Sequence, residues 1–351
     1  MHTTYKAGHT CAPSSTTGGS RLRILVVGDT SLPFVVRDIQ ELMKHYDVSV
    51  VRYSSFKDLS KLSQLVREVD VVLNWFADVP AFLATWMCKI LNRDSLVIIG
   101  AYEVASEPDI DYGLQNMKSP GAGFRRTLLR WTLKHADIVI AGSEFSRSEA
   151  FAVSQRRDIR VIPHGGIDTE AFKFRGSKRE IVTTVASVKD LQSYRRKGID
   201  IVLECARICS DLKFRLLGRC TDEWASEIKA LVPQNLEFQT NVQPEDLLRA
   251  YQESKVYLQP SAHESFCVAL AEAMACECVP VVSDRGALPE VVDDTGYIVP
   301  YANVALFAKA IRDAIADNEK GPKARQRVAN FYSQSSRSAA LRQAIEEVRG
   351  S

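Results

Sequence analysis

The segment 259–282, QPSAHESFCVALAEAMACECVPVV, carries two carboxylates, Glu264 and Glu272, eight positions apart. It reads as a strand end, a polar loop, a helix of small residues and a second strand, which puts Glu264 at the loop-to-helix junction and Glu272 within the helix. At helical rise the two stand about 12 Å apart along the axis. That is the span of a sugar diphosphate. Carboxylates accept paired hydrogen bonds from vicinal hydroxyls, so one could hold a hexose while the other holds the ribose of a nucleotide. Between them, the free amides at the helix start, from Ser265 and Phe266 to Cys267 and Val268, would meet the diphosphate. A competing reading makes Glu264 a helix cap and Glu272 a solvated residue. The run ALAEAMA counts against it, because a charge among apolar neighbours is costly to bury without a partner.

A second cluster comprises Lys189, Arg195, Arg196 and Lys197, followed by Gly198. The expected setting is a loop between the strand IVTTVASV and a helix opening near Ile199. Cations at the carboxyl end of a strand are placed to neutralise a diphosphate leaving group, and Lys197 is the first choice among them. A merely solvated basic loop is the alternative.

These side chains need a frame, and the apolar runs supply one. RILVVGD, DVSVVRY, VDVVLNWF, SLVIIGAYE, DIVIAGS and DIRVIPHG alternate with amphipathic stretches in the first half, and IVTTVASV, LKFRLLGR, LEFQTNV, KVYLQPS, CVPVVSD and TGYIVPY do so in the second. Such runs read as strands of parallel sheets buried on both faces, so the fold class is α/β with two Rossmann-like, doubly wound domains facing a central cleft. The expected boundaries are a disordered tail at 1–20, a first domain at 21–172, a linker at 173–180, a second domain at 181–320, and a C-terminal helix at 321–351 that packs back on the first domain. Domain closure about that helix and the linker would assemble the site.

With 351 residues, 46% apolar and 25% charged, the chain is long enough for two cores and too apolar for disorder. Lys plus Arg is 45 and Asp plus Glu 43, a net charge of +2 that argues against a nucleic-acid partner. The eight cysteines lack paired metal-ligand spacing, so no metal is assigned and a reduced, cytoplasmic setting is expected. Neither a dinucleotide fingerprint nor a P-loop is present, and no apolar run reaches the ~20 residues that span a bilayer. The stretch 123–135, GFRRTLLRWTLKH, is a basic amphipathic helix that suits peripheral membrane contact or, on the plainer reading, an ordinary surface helix packed inward.

The Lys-Gly after the first strand of the second half, the strand LLG, then PSAHESFCVALAEAMACECVPVVSD and LPEVV together resemble the family 4 glycosyltransferases, retaining enzymes of the GT-B fold. The resemblance spans about residues 21 to 330. It implies transfer of a sugar from a nucleotide diphosphate sugar to a hydroxyl of a glycan, glycolipid or lipid-linked acceptor, with no cofactor. It places Glu264 at the reacting centre, Glu272 on the ribose and Lys197 on the phosphates. Lys189, Arg196 and Gly218 are donor-side positions. The family's usual Arg five residues before the Lys is Gln192 here, and Lys189, Arg195 or Arg196 could substitute. The His usual after the fourth strand is absent, leaving Tyr102 and Glu103 as acceptor-side candidates, while His164 reads as a satisfied loop histidine. The alternatives are a non-catalytic nucleotide-sugar binding protein and a GT-B epimerase.

Overall fold

The computed structural model describes residues 21–52 and 59–350, so the expected tail at 1–20 lies outside the described residues. Strands β1 (Arg23–Val27), β2 (Asp47–Val51), β3 (Val71–Trp75), β4 (Asp94–Ile98), β5 (Ile138–Ala141) and β6 (Ile159–Val161) form a parallel sheet in the order β2-β1-β3-β4-β5-β6. Strands β7 (Arg179–Val188), β8 (Lys213–Cys220), β9 (Leu236–Thr240), β10 (Ser254–Gln259), β11 (Val279–Ser283) and β12 (Tyr297–Val299) form the second, in the order β12-β11-β10-β7-β8-β9. Every run read as a strand is one. β3 and β11 are buried along their whole length, as parallel strands covered on both faces must be.

Each sheet reverses its strand order once, between β1 and β3 in the first and between β7 and β10 in the second. Crevices open beyond the carboxyl ends of strands at such switch points. The helices of the first domain are α1 (Pro33–Met43), α2 (Leu59–Glu68), α3 (Val79–Leu91), α4 (Ala122–His135) and α5 (Glu144–Ser154). The second carries α6 (Leu191–Arg196), α7 (Ile199–Ile208), α8 (Asp222–Leu231), α9 (Pro244–Glu253), α10 (Val268–Ala275), α11 (Leu288–Val292) and α12 (Val304–Ala316). Apolar residues fill both faces of the second sheet, with Phe214 and Phe307 on one side and Tyr251, Leu270 and Met274 on the other.

The long terminal helix expected from 321 is two helices, α13 (Lys320–Phe331) and α14 (Gln334–Gly350). α13 stays with the second domain, where Ala324 and Val328 join its core. α14 lays Leu341, Ala344, Ile345 and Val348 on the first-domain core beside Ile24 and Leu96. The break between them is pinned by backbone: Ile167 N–H donates to Tyr332 O at 2.8 Å, and Gln334 N–H donates to Ile167 O at 2.9 Å. The chain thus crosses between domains at two touching points. Ile167 and Phe172 already pack in the second-domain core, and β7 begins at Arg179, so the crossing lies before 173–180.

Buried Arg337 of α14 forms a two-pronged ion pair with Asp38 of α1, both contacts 2.7 Å, and donates to the carbonyls of Ile162 and Pro163. Among the described residues, no helix is long and apolar enough to cross a membrane. α4 buries Leu129 and Leu133, spends Arg126 on the carbonyls of Leu114 and Met117, and leaves Phe124 exposed.

Candidate functional site

Lys197 and Glu264 meet at the β7/β10 switch point, Nζ to Oε1 at 2.6 Å. They come from the segments that follow those two strands. The approach depends on small residues. Gly198 has φ +63, and a Cβ there would lie 2.3 Å from Pro260 O, while Arg196 O accepts a hydrogen bond from Ala262 N–H at 2.8 Å. Gly286, with φ +62, lets the loop after β11 close under Glu264, whose carbonyl accepts from Ala287 N–H. Ser261 Oγ donates to Glu264 Oε1 at 2.9 Å, and Arg196 stands 3.8 Å from Oε2. Burial alone would raise the Glu264 carboxyl, but the charges of Lys197 and Arg196 outweigh it and hold the group below the ordinary carboxylate range.

Two details differ from the sequence reading. The basic cluster is not one open loop: Asp190 and Ser193 form a capping box that starts α6, so Arg195 and Arg196 end that helix and Lys197 caps it. Arg195 and Lys189 are exposed, which leaves Arg196 as the second cation at Glu264. Also, α10 begins at Val268, four residues after Glu264, so Glu264 is neither in the helix nor its cap, and the 12 Å helical separation does not apply. The N-cap is Cys267 at φ +77, a left-handed conformation that glycine takes without strain.

Glu272 lies within α10 and is also paired, with Arg37 of α1 at 3.1 Å across the cleft. Burial raises its carboxyl and the Arg37 charge only partly offsets this. Phe266 is a core side chain, edge-on to Tyr332, so only its backbone is available to a ligand. Ser265 O accepts from Ser143 Oγ at 2.7 Å, and Val268 packs where a Cβ on Gly165 would lie 2.8 Å away. Gly218 sits opposite Ala186 in the β7–β8 ladder, where a Cβ would come 1.8 Å from Ala186 O. Close strand packing therefore accounts for it.

Glu103 is an organiser of the first domain. Its Oε1 accepts from Gly100 N–H at 2.7 Å and from Ala77 N–H at 3.0 Å. Tyr102 is half-buried and edge-on to Tyr112. His164 is buried against Trp75 with Nε2 unpartnered, which corrects its reading as a satisfied loop residue. Burial and the nearby Arg337 charge push it down to about 3, so it is neutral.

Contacts that no spacing reveals hold the domains together. His263, fully buried, places Nε2 3.0 Å from Glu149 Oε1 of α5, between the rings of Tyr112 and Phe145. Glu290 accepts from the first two amides of α5, Glu144 at 3.0 Å and Phe145 at 3.3 Å, satisfying a helix N-terminus from the other domain. Their only sequence signal is position, His263 beside Glu264 and Glu290 within LPEVV.

Residues 168–331 match the family model of glycosyl transferases group 1. The chain is 25% identical over 300 residues to an alpha-maltose-1-phosphate synthase of Mycolicibacterium smegmatis, covering 74% of this chain and 75% of that one. It is 24% identical to the N-acetyl-alpha-D-glucosaminyl L-malate synthase of Bacillus anthracis, covering 92% of each. Against the gpi3 subunit of the Schizosaccharomyces pombe phosphatidylinositol N-acetylglucosaminyltransferase, it spans only 45% of the relative's length, at 25% identity over 59% of its own. Among solved structures, Anabaena Alr3699/HepE, in complex with UDP and glucose, superposes with a TM-score of 0.75 at 16% identity, covering 93% of this chain and all of that one. Sucrose-phosphate synthase from Thermosynechococcus elongatus gives 0.73 at 17% identity, covering 94% and 100%. Residues 168–331 thus carry a region that matches the group 1 glycosyl transferases, and the chain as a whole has the GT-B fold.

Proposed function

We propose that the chain transfers a glycosyl group from a nucleoside diphosphate sugar to an acceptor hydroxyl with retention at the anomeric carbon, using its own cations in place of a metal. The observation that carries this reading is the Lys197–Glu264 pair at the β7/β10 switch point, with Arg196 beside it and the start of α10 next in the chain. Breaking the anomeric bond builds positive charge on the sugar and negative charge on the departing diphosphate. Lys197, Arg196 and the amino end of α10 stabilise the anion, and Glu264 faces the sugar's growing positive charge. The acceptor oxygen bonds to the anomeric carbon as the carbon–phosphate-oxygen bond breaks, and the hydroxyl proton passes to the departing diphosphate on the same face. Donor entry exchanges the Arg37–Glu272 pair for a ribose on Glu272, since a carboxylate accepts from a vicinal diol as well as from a guanidinium.

Arg196 takes the place of the Arg that Gln192 replaces, because it alone among the candidates reaches Glu264. Packing supports α4 as a surface helix rather than a membrane contact, and co-sedimentation with anionic vesicles at low salt is expected to leave the protein in the supernatant. Incubation with a panel of nucleotide sugars, with and without sugar acceptors, tests the main reading. Nucleotide release that rises with acceptor, and an axial donor linkage kept axial in the product by proton NMR, is the expected result. Binding without release across the panel would point to a non-catalytic binder.

A further inference from the structure

At the carboxyl ends of β3 and β4, the first domain holds a cavity of about 370 Å³ whose walls include Phe76, Asp78, Tyr102, Glu103, Tyr112 and Arg125. Tyr112 is shared with the donor site: the Arg196 guanidinium lies 5.0 Å from its ring, and Arg196 is the cation beside Glu264. The cavity therefore adjoins the place where the anomeric carbon would react.

Three features of this cavity point to a ligand. Glu103 is only 7% exposed, and while Oε1 takes the two amides described above, Oε2 receives no hydrogen bond among the described residues. That oxygen is reachable from the cavity rather than sealed in, so it can accept from a hydroxyl that enters there. Phe76 adopts φ +73, a left-handed conformation costly for an aromatic residue, and Gly100 makes room for it: a Cβ there would lie 2.7 Å from the ring. The Glu103 bonds to Ala77 and Gly100 fix that strained turn from both sides. Asp78, exposed at the rim, caps α3 through Ala81 N–H, and partial desolvation on its cavity side with the Glu103 charge pushes its carboxyl up.

We propose that this cavity is the acceptor subsite and that it takes a neutral, hydroxyl-rich ring, an unphosphorylated sugar or cyclitol. Ring hydroxyls donate to Asp78 and to Glu103 Oε2, and the C–H face lies on the aromatic walls. Two carboxylates stand against the single guanidinium of Arg125, whose charge already bears on Asp78. A phosphate in this space meets net negative charge and is refused. This assignment rests on the glycosyl-transfer reading above.

Ligand-observed NMR on the full chain, with UDP in excess to fill the diphosphate site, compares D-glucose and myo-inositol with glucose 1-phosphate and inositol 1-phosphate. The neutral member of each pair is expected to bind roughly tenfold or more tightly than its phosphate, and Asp78→Asn to weaken neutral binding by a similar factor. Glu103→Gln should weaken it too. If loss of the two-amide clamp unfolds that variant, Asp78→Asn on the open rim decides alone. Phosphates that bind as tightly as the neutral rings, neutral rings that ignore Asp78→Asn, or no sugar binding at all would overturn the subsite. Nucleotide release without acceptor is scored separately. Release without Asp78-dependent sugar binding removes the subsite alone, whereas no release across the donor panel removes the reading beneath it.

Discussion

Glu264 is ionised because two cations outweigh its burial, whereas Glu272, with Arg37 alone, stays above its ordinary range. That contrast fits one group facing a cationic sugar and another accepting from neutral hydroxyls. Glu272→Ala is expected to raise the donor KM about tenfold or more, as loss of a hydrogen bond to a charged group does, with a smaller change in kcat; initial rates over a donor series check it. His164 gives a pH prediction. Its folded value is depressed to about 3, while the unfolded chain takes up the proton near pH 6.5. The stability it permits is complete above about pH 6.5 and drains away towards pH 3, by about 1.4 kcal/mol per unit. Urea melts between pH 6.5 and 5 should show that slope in the wild type and a shallower one in His164→Gln. Glu264 and Glu272 stood out as candidates because they share one dense local segment, and Lys197 because it ends a basic cluster, but the Lys197–Glu264 contact spans 67 residues of sequence. Arg37 did not stand out, since its partner lies 235 residues away and one Arg on an amphipathic helix looks like any other.

At the scale of elements, the strands were fully legible because buried parallel strands are continuous apolar runs, and all twelve runs became strands. Boundaries set by caps were harder to see. The Asp190–Ser193 capping box turns an apparent loop into α6, and a left-handed Cys267 delays α10 until Val268. The division of the terminal helix into α13 and α14 follows from the bridge between Ile167 and Ser333, a pairing no local pattern announces. Arg337 is what fastens α14. Arg337→Met leaves Asp38 buried and unpaired, and is expected to cost about 3–5 kcal/mol, read as a lower urea midpoint. Gly286→Ala would drive a Cβ to 2.5 Å from Glu264 O. Turnover should fall more than thermal stability does, measured side by side on the purified variant.

On the scale of the molecule, two sheets with facing switch points create the cleft, and the paired crossings at Ile167 and Ser333 join the domains side by side. The cleft is spanned by contacts that touch the site itself, His263 with Glu149 next to Glu264, and Arg37 with Glu272. The cleft was foreseeable from the alternation of strands and helices. Which residues bridge it was not, because that depends on how two separately folded surfaces meet. The central claim is that Lys197 and Glu264 together act on one bound donor. Single-turnover release of nucleotide from a donor that the wild type cleaves tests it most directly, with donor affinity measured alongside. Lys197→Ala and Glu264→Gln should each slow release about 100- to 1,000-fold, the usual cost of removing one charge-stabilising group, in variants that melt like the wild type. Wild-type release rates in both folded variants would contradict the account.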